Sequence, residues 1–582
     1  MEKIERILSR PVAKPYRSGK IDPNEIPYLN DDGHVDFPEG DIENPKNWSA
    51  RRRWYITIVS ITLVLNATFA SSSPSGCLEG IAEEFHVSQV ATGLVITLFL
   101  LGYCFGPLFF APLSEFFGRR WIFYMTFVGY VVFNFLCAFA PNFGSLLVGR
   151  FITGTFASAP LSNAPGVLAD LWGPVERGNA MALFAVMTFA GPGISPSIAG
   201  FLQLTEDWRW SFYILLMFGG ATCILLFTIP ETHPATVLTN KARRIRRLKI
   251  PGYENVQSPY EASGQTLTGI FKIALTRPWI ILFDPISLLV ALYISVTYCL
   301  LYMLFTIYPI VFRQKRGWNS GVSELPLIGT VVGAAIGGFI VFLNSRKQAR
   351  KIARGEPTKP EDRLPLAQLG GIGFTVTMFW FGWTANFNSV HWFVPTLAGV
   401  FLATSIVLIF VSFLSYLTDT YLMYAASAIA ANTVARSAAG AAAPLFTSQM
   451  FKALGVGGGA SLIGGVAALL AVIPFAFYRY GEKIRIRSKF APTTPKDDEE
   501  SQDSQQEKEK QPSAEPQHTR SGSSSSDMSS SASSTVHEPD IEKQERSREQ
   551  NLEGEKHDSD QNGFGEPRTE NVNFGKQSER GI

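Results

Sequence analysis

"MALFAVMTFAGPGISPSIAGFLQL", residues 181–204, is a run of 24 residues without a charge. About 20 consecutive apolar residues is what a helix needs to cross the hydrocarbon core of a bilayer. Residues 191–200 nevertheless place three glycines and two prolines in ten positions, a composition that breaks helices in water. Inside lipid such breakers are tolerated, because neighbouring helices and local adjustments re-satisfy the freed backbone groups. Gly191, Gly193 and Gly200 also remove side-chain bulk, which lets another helix approach closely. The stretch therefore reads as a membrane span pressed against a neighbour, expected to be the eighth span. Pro192 and Pro196 are expected to bend it at a fixed place.

The rest of the chain repeats this texture. Of 582 residues 46% are hydrophobic and only 17% charged, and the charge gathers at the two ends and in short connections. Between Trp54 and Tyr478 twelve spans are expected, at 54–76, 90–112, 121–140, 145–168, 178–202, 209–230, 287–312, 322–343, 365–385, 390–414, 422–446 and 458–478. The fold class is an all-α polytopic membrane protein whose twelve transmembrane helices form two six-helix bundles. A weak internal echo suggests pseudo-symmetry: small-residue spans 5 and 11 each follow an aspartate, Asp170 and Asp419. The expected divisions are an N-terminal tail (1–50), a first bundle (51–230), a central loop (231–280), a second bundle (281–480) and a C-terminal tail (481–582). From residue 491 onward Ser, Glu, Lys and Gln dominate, so that tail is expected to be disordered.

Arginine and lysine fix the orientation, since cytoplasmic loops keep them. Arg51–Arg53, Arg119–Arg120, Arg243–Arg247, "SRKQARKIARG" (345–355) and the residues after span 12 lie on one side with both termini. Both tails are therefore expected in the cytoplasm; "RQKR" (313–316) is the exception on the far side. The five cysteines lie in or beside spans and predict packing rather than disulfides.

Several motifs act together. "GPLFFAPLSEFFGRR" (106–120), "LLVGRFITGTFASAP" (146–160) and "GPGISPSIAG" (191–200) resemble the loop, arginine and antiporter motifs of the major facilitator superfamily. "ENPKNWS", "ADLWGPVERGNAMAL", "DWRWSFY", "PEDRL" and the long run from Tyr416 are similar to fungal twelve-span drug:proton antiporters, a group that includes toxin and polyamine exporters. The resemblance covers residues 43 to about 490. It implies the superfamily fold and proton-driven export by alternating access at the plasma membrane, with small molecules, protons and the bilayer as partners. It also implies a conformational latch of Gly118 and Arg119, with Glu115, Asp170 and Arg177 around it, and a role for Arg150 in tuning a proton-binding group.

Each candidate also has a plainer reading. Two arginines at a loop obey the cytoplasmic bias without any latch. Arg150 lies several residues inside span 4, where a charge costs about 2.5–3.5 kcal/mol, unless it snorkels out to the far face. Arg436 in span 11 raises the same question: it bonds helix carbonyls, or it faces a water-filled vestibule. Tyr298 and Tyr302, four residues apart on one helix face, form with Asn66, Asn163, Asn432 and Arg436 the expected substrate wall. Packing explains the tyrosines equally well. Such an aromatic wall with few fixed charges suits flat, apolar or weakly basic compounds. No carboxylate is expected deep within a span; the nearest are Glu79, Glu115, Asp170, Asp284 and Asp419. Span 7 has Thr306 where some relatives carry a glutamate, which argues against a polyvalent cation as cargo.

No metal-ligand spacing and no phosphate loop occurs, so neither a metal site nor an ATP-driven pump is expected, and the proton gradient is the expected energy source. Neither an enzyme nor a nucleic-acid binder is expected, and the protein is expected to act as a monomer. Export of drugs or toxic molecules is the leading expectation. Export of one specific metabolite, or a sensor that does not transport, are the alternatives.

Overall fold

Apolar runs of this length leave the backbone one way to satisfy its own hydrogen bonds in lipid, the helix. The computed structural model, which describes residues 27–249, 252–356, 359–488 and 490–491, has helix at every expected span. They are α1 Ala50–Ser72, α2 Gln89–Phe117, α3 Arg119–Ala138, α4 Phe143–Leu171, α5 Pro174–Thr205 and α6 Arg209–Leu226. The second half contributes α7 Pro285–Tyr308, α8 Ile328–Ala353, α9 Leu364–Asn386, α10 Phe393–Tyr421, α11 Ala425–Leu470 and α12 Val472–Arg487. Among the described residues the sole β pairing is an isolated bridge, Leu29 to Val35. Among the described residues nine segments are long and apolar enough to cross a membrane, the last of which, residues 393–487, holds three of the expected spans; α4 covers the fourth expected span as helix but is not among the nine. The expected disordered tail lies almost wholly outside the described residues.

Local chemistry sets several helix starts. Ser88 caps α2 by accepting from the Ala91 amide, and Asn142 and Ser145 form a reciprocal cap on α4. Within Ala425–Leu470 two helices meet at a kink at Gly455, with φ of +70°, so spans 11 and 12 are separated there; the break falls in the glycine-rich "LGVGGGASL" (454–462).

Two further differences bear on function. The central region is helical rather than a loop, with helices at Pro234–Leu248, Pro259–Ala262 and Leu267–Leu282. Leu238, Ala242 and Ile245 form a small core with Val35 and Val256, and the buried Lys241–Asp41 pair (2.7 Å) and Arg244–Glu43 (2.7 Å) tie residues before α1 onto it. The expected N-terminal tail is therefore partly built structure. In the bundles, α5 packs on α1 and α8, α2 on α4 and α11, and α7 on α11. Hence α2–α11 and α5–α8 are the seams between the two halves.

Candidate functional site

Three levels of side chains along these seams carry the candidate chemistry. At the end that holds the described chain ends, Gly118 turns the chain from α2 into α3 with φ of +93°. A Cβ at Gly118 would collide with Glu231 Oε2, so the position needs glycine for both its backbone and its space. Glu231 is the centre of this corner. Oε1 accepts from the amides of Arg119 (3.0 Å), Thr232 (3.0 Å) and His233 (2.9 Å), and Oε2 from that of Arg120 (3.2 Å). A carboxylate there satisfies orphan amides at the start of α3 and meets the positive end of its dipole. Arg119 reaches Asp170 (3.4 Å) and Ser114 Oγ (2.7 Å), and Ser114 donates to Asn163 Oδ1 (2.9 Å). The half-buried imidazole of His233 is pushed down to about 4, by desolvation first and by the Arg119 charge second.

Gly118, Arg119 and Asp170 are thus brought together, and Glu115 and Arg177 are not. Both are exposed and make no ion pair among the described residues; Glu176, next to Arg177, takes Arg53 at 2.9 Å instead. Asn163 joins this corner rather than a substrate wall. The corner lies wholly within the first half, so in this state it does not clasp one half to the other. The second half repeats it: Arg363, opening α9, meets Asp419, near the end of α10, at 2.7 Å. That matches Arg119 at the start of α3 and Asp170 at the end of α4.

The opposite end is closed across the halves. Gly193 faces Thr330 and Val331 of α8, and a Cβ on Gly200 would lie 2.5 Å from the Ser320 carbonyl oxygen. Ser320 donates to the Gly200 carbonyl (3.1 Å) and Ser197 to the Glu324 carbonyl (2.9 Å). Gly191 departs from the expected partner: it faces Thr68 and Phe69 of α1, in its own half. Pro192 and Pro196 lie inside one uninterrupted helix, with no break at either. The exceptional "RQKR" has a reason too, since Arg313 pairs with Glu79 at 2.5 Å and Lys315 with the Asn386 carbonyl at 3.0 Å.

Glu324 was not foreseen. Its side chain is 3% exposed and its Oε2 has no hydrogen-bond partner among the described residues. Position along the chain does not measure depth here, because the short helix Ser320–Glu324 tucks against α5. The signal available in sequence was an acid directly before the apolar "LPLIG".

At mid-depth the two halves meet around tyrosine. Across the halves Tyr302 donates to Ser71 Oγ (3.1 Å) and Thr97 to the Ala441 carbonyl (2.8 Å), while Tyr103 donates within the first half to the Ala67 carbonyl (2.7 Å). The Tyr298 and Tyr302 rings lie 5.2 Å apart, and a Cβ on Gly440 would lie 2.9 Å from Tyr298. The Arg436 guanidinium stands 5.4 Å from the Tyr298 ring centre and 4.7 Å from that of Phe410. Asn432, one turn earlier, reaches Ser287 (3.5 Å) and the Ala428 carbonyl (3.0 Å). Asn66 is not part of this wall: its amide is used by Thr222 (2.7 Å) and Tyr130 (3.3 Å), inside the first half.

The two arginines within spans differ. Arg150 is fully buried, which leaves no room for snorkelling, and it donates to the carbonyls of Val95 (3.0 Å), Ala70 (2.9 Å) and Ser71 (3.5 Å). It sits over Phe99 and joins α4 to α1 and α2. No carboxylate faces it among its hydrogen-bond and ion-pair partners, so the proton group it was expected to tune is not beside it.

Residues 58–444 match the family model described as Major Facilitator Superfamily. The chain is 40% identical to "Efflux pump FUB11" of Gibberella moniliformis, over 78% of this chain and 77% of that protein. It is 38% identical to "Major facilitator superfamily multidrug transporter mdrA" of Aspergillus fumigatus, over 82% and 78%. It is 37% identical to "Ascochitine biosynthesis cluster MFS transporter" of Didymella fabae, over 83% and 92%. Among solved structures, the proton:xylose symporter XylE bound to 6-bromo-6-deoxy-D-glucose aligns with a TM-score of 0.55 at 18% identity, over 74% of this chain and 97% of that one.

Proposed function

We propose, for a chain that belongs to the major facilitator superfamily, the export of drugs or toxic small molecules by proton antiport, through alternating access between the two halves. The observation that carries this reading is the mid-depth meeting of Ser71 and Tyr103 with Tyr298, Tyr302 and Arg436, below an end closed by α5 against α8. A substrate held there touches both halves, which is what a rocking transporter needs of its binding level. The name "Efflux pump" of the Gibberella moniliformis relative favours outward movement. The membrane is the plasma membrane and both termini are cytoplasmic, in keeping with the arginine-rich end.

The proton gradient supplies the energy, and Glu324 is the buried carboxylate best placed to sense it. The charged group acting on it is Arg313, already paired with Glu79, and the neutral Tyr308 hydroxyl lies close to it. Opening that end would bring it to water.

The test pairs deletion with overexpression across an inhibitor panel, and follows a labelled compound. Lower accumulation on overexpression, abolished by a protonophore, is expected. Unchanged accumulation with an altered transcriptional response would replace export with sensing.

A further inference from the structure

Arg436 and Arg150 are the same residue type in similar surroundings, and their bonding differs. Arg150 donates from Nε and one terminal nitrogen to three backbone carbonyls and leaves only its other terminal nitrogen unpartnered among the described residues. Arg436 is 7% exposed and has no hydrogen bond or ion pair among the described residues, its Nε included. Its side chain meets ring faces alone, those of Tyr298 and Phe410. A guanidinium stays protonated in proteins, and an uncompensated buried charge costs several kcal/mol. Aromatic faces return about 2 kcal/mol or more when desolvated, which leaves the hydrogen-bonding capacity unused. Close to it on α11, among the described residues, Asn432 Oδ1 one turn away and Ser437 Oγ next in the chain are also buried and unpartnered.

We infer that Arg436 is the anchor of a binding site for organic anions, with the substrate carboxylate forked on the guanidinium and its apolar body between Tyr298, Tyr302 and Phe410. This rests on the export reading and names its substrate class. Position supports it: Arg436 lies on α11 about 11 residues, or about 16 Å, past its start, close to the middle of the span. Tyr302 and Ser71 bring the other half to the same level. The charge argues against the weakly basic or polyamine cargo that an uncharged aromatic wall would admit, since like charges buried together repel strongly. Tyr298 and Tyr302 are the flat apolar walls, and Gly440 lets both rings pack directly against α11.

The purified full-length protein is titrated calorimetrically with 2-naphthoate, its methyl ester and 2-naphthylmethylamine, and assayed for transport of each in proteoliposomes. The acid is expected to bind at least about tenfold more tightly than either analogue, the range of a charge-assisted hydrogen bond. Arg436→Gln is expected to erase that preference, and Arg436→Lys to keep part of it, because an ammonium holds charge without the fork. Equal or tighter binding of the ester or the amine by the unaltered protein would overturn the site, and this comparison needs no variant to fold. Transport of ester but not acid would also overturn it while leaving export standing. Acid binding that Arg436→Gln removes, with no transport of any compound, would keep the site and sink the export reading.

Discussion

Gly118 shows how much one missing side chain decides. Its positive φ and the Glu231 carboxylate against its open face are both incompatible with a Cβ. Gly118→Ala is expected to cost about 1–3 kcal/mol for this essentially glycine-only backbone conformation alone, read as a lower melting temperature of the purified protein. Glu231→Gln keeps the shape and removes the charge that four amides share, and is expected to cost about 1–2 kcal/mol. Its neighbour His233 adds a pH dependence. The unfolded chain takes up this proton near 6.5 and the folded chain only near 4, so acid favours unfolding. The contribution is absent above about pH 6.5 and grows destabilising as pH falls toward 4. Thermal melts over that window are expected to flatten in His233→Asn; an unchanged slope would remove His233 from the account. Arginine, glycine and aspartate of this corner were legible as a motif. Glu231 was not, because 112 residues separate it from Arg119 and only the fold joins them.

Helix α5 carries two different packing duties on one sequence pattern. Gly191 meets α1 within the first half, whereas Gly193 and Gly200 meet α8 and the segment before it across the seam. The two substitutions should therefore fail differently. Gly191→Leu is expected to lower the amount of folded protein, because it wedges a bundle apart. Gly200→Leu is expected to leave expression at the membrane intact and reduce transport by at least about tenfold, since a packed seam has no slack for a larger side chain. Membrane fractionation and uptake assays on the pair separate these outcomes. The span itself was evident from 24 uncharged residues, and so was the need for close approach. Which glycine faced which helix was not, because helix rotation is set by partners from elsewhere in the chain.

Across the whole molecule, the two halves use one design twice, and α5 meets α8 and the segment before it across them, from Gly200 at the end remote from the described chain ends to Gly178 beside Ser345. Arg119–Asp170 and Arg363–Asp419 occupy matching places. The Arg313–Glu79 pair bridges the halves with both partners over a third exposed, so it contributes little to stability. Its effect should appear in the closing of that end. Arg313→Glu is expected to depress transport with a small change in melting temperature, and the double swap with Glu79→Arg to restore it. The spans and their pairing into halves were legible because lipid permits few solutions. The pairing of distal charges was not, since it depends on how the halves meet. The central connection has a practical corollary. Residues 27–48 and the helix Pro234–Leu248 share a core and two ion pairs, and Arg246 grips Glu261. The helix Leu267–Leu282 instead lies along α11 and α2. The chain thus has a natural cleavage line at Ser263–Gln265, where Gly264 turns with φ of +61°. Two separately encoded fragments divided there should find each other in one membrane, while a division between Asp41 and Lys241 would leave each fragment with half a buried ion pair.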